Sequence, residues 1–263
     1  MSLDFSKPIT AYELIAIIIS LIAIFIPIIK FLYNKYFKKL ELDYVPQNNI
    51  ITLFFNESGA YVQTGFSLYC KNKGVILRSI EAKIIRKRDN AELNLSWSTI
   101  LSPTTQQIGN GAIISNNDTA GARMVSGDSV NLFMLEFINK DTKATNELYS
   151  IHDKKMNILS PIDYTNITYQ DAIEKFKSTC EYNEYYKDVA EHFFWREDEY
   201  ELQIITNYDN NKKYIKKYKF IIDEFNHQQL KENIENSLVC RIKNHYMIPA
   251  GFNVRKIEYT EIK

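Results

Sequence analysis

A chain of 263 residues, 45% hydrophobic and 24% charged with 32 basic and 32 acidic side chains, lies in the globular range and carries no overall field that would draw nucleic acid. Its three cysteines, Cys70, Cys180 and Cys240, are odd in number, far apart and without CxxC spacing, which argues against a disulfide framework or a zinc site. Once the one hydrophobic segment is set aside, enough chain remains to bury a core without such staples.

Residues 1–13 read as a short tail. The stretch from Leu14 to Ile29 is uncharged and holds twelve Leu, Ile or Phe residues. At the insertion energy of such side chains, these favour the bilayer by roughly 6 kcal/mol. With its flanks the segment, taken as 14–33, is long enough for a hydrocarbon core of ~30 Å. Leu14, Ile18, Leu21, Ile22, Phe25, Pro27 and Ile29 are the expected lipid-facing anchor. Tyr12, Lys30, Tyr33, Lys35, Tyr36, Lys38 and Lys39 are placed at the headgroup level, by aromatic preference and by lysine snorkelling. Pro27 cannot donate to the carbonyl of Ala23, which membrane helices tolerate. Ala16, Ser20 and Ala23 form a stripe of small residues on which two helices can approach.

A cleaved signal peptide fits poorly, because Asp4 and Glu13 precede the run and no small-x-small site comes after it. Lys7 stands alone before the segment, against Lys30, Lys35, Lys38 and Lys39 after it, so the larger part is expected in the cytoplasm. Asn-x-Ser/Thr triplets at Asn56, Asn94, Asn117 and Asn166 point the other way, but an asparagine-rich chain produces them by chance. Residues 34–40 form a basic juxtamembrane linker.

Residues 41–263 are expected to form one soluble, mainly β domain. Val62, Phe66, Leu68 and Cys70 alternate with polar or small residues, as do Ile80, Ala82 and Ile84, and then Leu93, Leu95 and Trp97. The run from Val130 to Ile138 is apolar on nearly both faces, as in a central strand. Turn residues separate these strands at 72–74, 89–90 and 126–128. Residues 102–121 are polar and read as a long loop and candidate binding edge.

Further on, Thr168 and Asp171 have capping-box spacing and open a helix expected over 169–194. Tyr200 to Thr206 and Tyr214 to Ile222 alternate about a turn at 209–211, a hairpin. Leu230, Ile234, Leu238 and Ile242 give a helix over 224–246 with one narrow apolar face. The architecture expected from this pattern is an antiparallel, immunoglobulin-like β-sandwich elaborated by the two C-terminal helices and the hairpin, although the paired cysteines of antibody domains are lacking.

No chemistry is written in a linear motif. His152, His192, His227 and His245 stand apart, Gly109 to Gly111 lacks a phosphate-loop context, and neither a nucleophile elbow nor a Walker lysine occurs. No catalytic, cofactor-binding or metal-binding residue is assigned, and no enzyme activity is expected. The acidic run Glu197 to Glu199 and the lysines Lys212, Lys213, Lys216, Lys217 and Lys219 lie on the two strands of the hairpin. Cross-strand pairing is the expected use of both, with a lipid-facing basic strip as the alternative.

The leading expectation is a membrane-anchored binding, scaffold or sensor domain held at the cytoplasmic surface, with membrane lipid and a protein partner or its own copies as contacts and no nucleic acid. A membrane-perturbing effector, comparable in architecture to some prokaryotic antiviral defence modules, is the alternative; an outward-facing ligand-binding or adhesion domain is a third.

Overall fold

The computed structural model describes residues 10–100, 105–108, 112–115, 118–159 and 166–262. Lys7 and the Gly109 to Gly111 stretch lie outside them. The first element is helix α1, Ala11–Leu32, capped by Thr10, whose hydroxyl accepts from the Glu13 amide while the Glu13 carboxylate accepts from the Thr10 amide. Pro27 lies inside α1 without ending it. None of its residues is buried, and with 22 residues and a mean hydropathy of 2.8 over its most apolar 18 it is long and apolar enough to span a membrane. A core helix would bury one face, and α1 buries neither. It continues as a π-helical turn, Tyr33–Phe37, so that most of the expected linker is helical. Only residues 38–40 precede the first strand.

Among the described residues twelve strands follow, with helices between β9 and β10 and between β11 and β12: β1 Glu41–Asn56, β2 Gly59–Lys71, β3 Val75–Arg86, β4 Glu92–Ile100, β5 Thr105–Ile108, β6 Ala112–Ser115, β7 Asp118–Thr119, β8 Arg123–Val125, β9 Ser129–Asn139, β10 Asp198–Tyr208, β11 Lys212–Ile222 and β12 Arg255–Glu261. Eight of them close on themselves in the order β4-β9-β2-β1-β12-β11-β10-β3, because β3 also pairs with β4, and every pairing is antiparallel. The fold is therefore a closed eight-stranded barrel with added helices. This corrects the expected immunoglobulin-like sandwich. The alternation of apolar residues is the same in both architectures; the sandwich is overturned by the β10–β11 hairpin, which inserts between β3 and β12, together with the β3–β4 ladder that seals the ring.

An eight-stranded barrel is just wide enough for side chains to fill. Here Leu53, Val62, Leu68, Leu77, Ile84 and Leu202 point inward and are fully buried. The turns form where left-handed backbone is available to Asn and Asp: Asn72 (φ 73°), Asn90 (φ 55°), Asp128 (φ 56°) and Asn211 (φ 65°). In β1, residues 47–50 bulge opposite Gly65, with Asn48 and Asn49 at φ 57° and 49°. The segment expected as a long loop lies partly outside the described residues. Its described part is a small β5–β6 hairpin followed by β7, which extends the sheet from β4.

Among the described residues four more helices gather at one mouth of the barrel, α2 Thr142–Leu159 and α5 Glu224–His245 against the strands, and α3 Tyr169–Lys177 and α4 Cys180–Glu191 packed on those helices. The single helix expected over 169–194 is broken at Ser178, because Thr179 returns to extended backbone and caps α4 by accepting from the Tyr182 amide. In α5 the four stripe residues Leu230, Ile234, Leu238 and Ile242 are all buried. Sequence reading missed α2, and the reason is chemical: its buried face carries a lysine, Lys155, among Leu148, Ile151 and Leu159.

Candidate functional site

The two mouths of the barrel differ, and chain direction says which faces the anchor. β1 begins three residues after the π-helical turn that continues α1, a reach of at most about 11 Å, and the Lys39 carbonyl is held by the side-chain amide of Asn72 at 2.9 Å. The mouth bearing the turns at 72–74 and 209–211 is thus the proximal one. The helices cover the distal one.

At the distal mouth the segment joining α4 to β10 is pinned from three sides. Trp195, fully buried, donates its indole N–H to the Phe54 carbonyl at 2.9 Å, and Phe193 packs edge-on against Phe55. Tyr200 accepts from the Arg196 amide at 2.8 Å and donates to the Arg196 carbonyl at 2.7 Å. Burial pushes its phenol up to about 12, so it stays neutral. Arg86 grips both oxygens of Asp89 at 2.9 and 2.7 Å, donates to the Phe194 carbonyl at 2.7 Å and lies over the Phe194 ring. The guanidinium holds the Asp89 carboxylate far below its ordinary range.

Between this segment, the β3–β4 turn and the start of α5 opens a groove of about 860 Å³. Arg88, Arg196 and Lys231 line it with Glu197, Glu224 and His227. His227 Nδ1 lies 2.8 Å from the Trp195 carbonyl, which can only accept, so Nδ1 is the donor. Asp223 is occupied as the cap of α5 and Asp198 accepts from the Arg88 amide. Among the described residues the side chains of Arg196, Lys231, Glu197 and Glu224 make no ion pair. The groove thus offers both signs of charge over an extended surface, which suits a polypeptide of mixed charge better than a lone phosphate.

A second polar cluster lies behind the helices. Lys155, 2% exposed, meets Glu57 at 3.2 Å, the Ser237 carbonyl at 2.9 Å and Cys240 Sγ at 3.9 Å, and His152 Nδ1 is 3.0 Å from the same Glu57 oxygen. Four chemically capable side chains meet here from the β1–β2 turn, α2 and α5, and no linear spacing announced them. Burial is the first cause that pushes the Cys240 thiol up, with Glu57 adding to it against Lys155, so the sulfur is a protonated donor to Glu57 rather than a nucleophile. The space among them, about 10 Å³, admits no substrate. The cluster staples the hairpin tip to two helices.

Of the anchor residues read from the sequence, Leu14, Ile18, Leu21, Ile22, Phe25, Pro27 and Ile29 all lie on α1, exposed. Tyr12, Tyr33 and Tyr36 are likewise exposed; Tyr33 stacks on Phe37 across the π-helical turn. Ser20 donates its hydroxyl to the Ala16 carbonyl at 2.8 Å, which satisfies it within its own helix. Among the described residues no group of three or more His, Cys, Asp or Glu side chains could hold a metal ion. The hairpin charge runs are not paired as expected: the antiparallel register sets Asp198 opposite Ile222 and Lys212 opposite Tyr208, at opposite mouths. The cross-strand ion pair of this hairpin is Lys217 with Glu201, at 3.3 Å.

No family model matches the chain, and no curated protein matches it in sequence. Among solved structures, weak similarity is found to the following two. One is a family 123 glycoside hydrolase from Clostridium perfringens, described for glycolipid glycan hydrolysis, at 7% identity and a TM-score of 0.31 over 70% of this chain and 27% of that one. The other is Spo0M, a sporulation control protein from Bacillus subtilis, at 9% identity and a TM-score of 0.28 over 76% of this chain and 54% of that one. Likeness at that level carries no argument about fold or function.

Proposed function

We propose that the chain is a membrane-anchored binding module: α1 spans the cell membrane, and the barrel stands at the cytoplasmic surface with its distal groove offered to a protein partner. The observation that carries this reading is the polarity of the barrel. The chain enters it from an unburied apolar helix at one mouth, and the open groove with unpaired Arg196, Lys231, Glu197 and Glu224 lies at the other. Anchoring confines the groove to a thin layer and raises its effective concentration for anything else held at that membrane. The lysine excess beside α1 supports the cytoplasmic orientation.

The test is capture of partners from mild detergent with the full chain and with an Arg196→Glu, Lys231→Glu variant, alongside a compartment-specific reporter at the C-terminus. A stoichiometric protein retained by the parent chain and lost by the variant supports the module. A reporter active outside the cytoplasm sinks the orientation. Membrane depolarisation on induced expression, with no captured partner, would replace the module with the membrane-perturbing effector.

A further inference from the structure

We infer that the proximal mouth of the barrel is itself a lipid-contacting surface, resting end-on against an anionic bilayer; this deepens the anchored-module reading and rests on it.

Three turns are zipped into one rim. The Asn72 amide donates to Asp128 at 2.9 Å, which joins the turn at 72–74 to the one at 126–128. There the backbone of Gly127 comes so near Lys73 and Gly74 that an added Cβ would lie 2.9 Å from the Lys73 carbonyl carbon. Ile76 and Asp209 exchange two bonds, Ile76 N–H to Asp209 Oδ1 at 3.2 Å and Asp209 N–H to the Ile76 carbonyl at 2.9 Å, which joins the turn at 209–211. Through Asn72, the rim also holds the Lys39 carbonyl. With one helical turn and three further residues between α1 and β1, the rim is set near the headgroup level wherever α1 spans.

The charge on this rim is sorted. Its acidic side chains are turned to internal partners: Asp128 and Asp209 accept backbone amides, Glu41 pairs with Lys71 at 3.0 Å, and Asp43 with Glu261 shares Lys216 at 3.1 and 2.8 Å. Lys38, Lys39, Lys212 and Lys213, by contrast, make no ion pair among the described residues. The surface beside them is apolar: Met124 is 82% exposed and directly opposite Ile76 in the β3–β8 ladder, and Val130, 64% exposed, is the second residue of β9. Unpaired lysines around exposed Met, Ile and Val are the composition that binds an anionic interface, the lysines to headgroups and the apolar tips to the acyl boundary. A second protein copy would bring the same positive charge to this rim.

The experiment uses the full chain in lipid nanodiscs of phosphatidylcholine, with and without phosphatidylglycerol, read by amide hydrogen exchange at residues 72–76, 123–130 and 209–213. Each lysine at an anionic surface is worth roughly a fivefold preference. Exchange at the three turns should therefore slow severalfold in the anionic discs, and return to the neutral-lipid rate in Lys212→Glu, Lys213→Glu protein and, for the parent chain, in high salt. Equal exchange in both lipids, or protection that appears only with two copies per disc, would overturn the inference. A chain that never enters the discs would instead sink the anchored-module reading.

Discussion

The two mouths of one barrel are built on opposite plans. At the distal mouth Tyr200, Arg86, Trp195 and Lys155 find partners across elements and together tie the α4–β10 segment, α2 and α5 to the strand ends, while Ser237 Oγ and Arg255 Nε there have no hydrogen-bond partner among the described residues. Residues 141–199, which supply most of that cover, hold thirteen acidic against seven basic side chains. At the proximal mouth, acids pair within the protein, lysines without an ion pair among the described residues face outward, and two buried hydroxyls, those of Tyr44 and Thr206, have no hydrogen-bond partner among the described residues. The distal end gains rigidity from directional bonds, which hold a groove in shape. The proximal end gains a nondirectional surface, which is all a fluid bilayer can recognise.

The sharpest way to break this comparison is Trp195→Ala. The indole is fully buried and packs against Phe194 and Tyr200, so its loss should cost about 3–5 kcal/mol and loosen the distal cover. Urea unfolding in detergent micelles, followed by far-ultraviolet circular dichroism, measures it; a cost below that of an ordinary surface substitution would show the distal end is not the rigid one. Next comes Lys155→Met, which keeps the volume but leaves the Ser237 carbonyl without its donor and Glu57 with His152 and Cys240 alone. About 1–3 kcal/mol should be lost in the same assay. Tyr44→Phe should move the other way. Removing an unsatisfied buried hydroxyl while keeping the ring that meets Phe66 at 4.4 Å should raise stability by about 1 kcal/mol; a loss would mean that the hydroxyl has a partner after all.

The smallest effect sharpens the comparison through pH. Lys87, then Gln203 and Lys217, hold Glu201 down to about 2 from its ordinary 4.5. A carboxylate depressed on folding contributes stability above its unfolded value, and that contribution is lost as pH falls from about 4.5 towards 2. Glu201→Gln should therefore flatten the acid limb of the stability curve in that window and cost about 1 kcal/mol at neutral pH, since both lysine partners are about half exposed and screen the loss although Glu201 itself is mostly covered. An acid limb unchanged in shape would remove Glu201 from the account.

Local pattern made much of the chain legible. Alternation along Val62 to Cys70 and along Ile80 to Ile84 requires only that one face be buried, and it holds whether the sheet is open or closed. The Thr168 capping box and the Asp223-capped α5, with its four-residue stripe, are likewise self-contained. Where sequence reading failed, a partner distant in the chain had intervened. Lys155 broke the apolar period of α2 because its charge is met by Glu57, ninety-eight positions away. The groove escaped notice for the same reason: Arg88, Arg196 and Lys231 share no linear motif.

An uncharged run of Leu, Ile and Phe is enough to specify a helix with a membrane's length and polarity, because each residue's transfer energy adds independently of the rest of the chain. Alternation likewise specifies strands and their inner faces. Ring closure, the sorting of charge to opposite mouths and the meeting of Glu57, His152, Lys155 and Cys240 are pair properties. They depend on which strand lies beside which, and the β10–β11 hairpin finds its place between β3 and β12 only once the whole chain has collapsed around it.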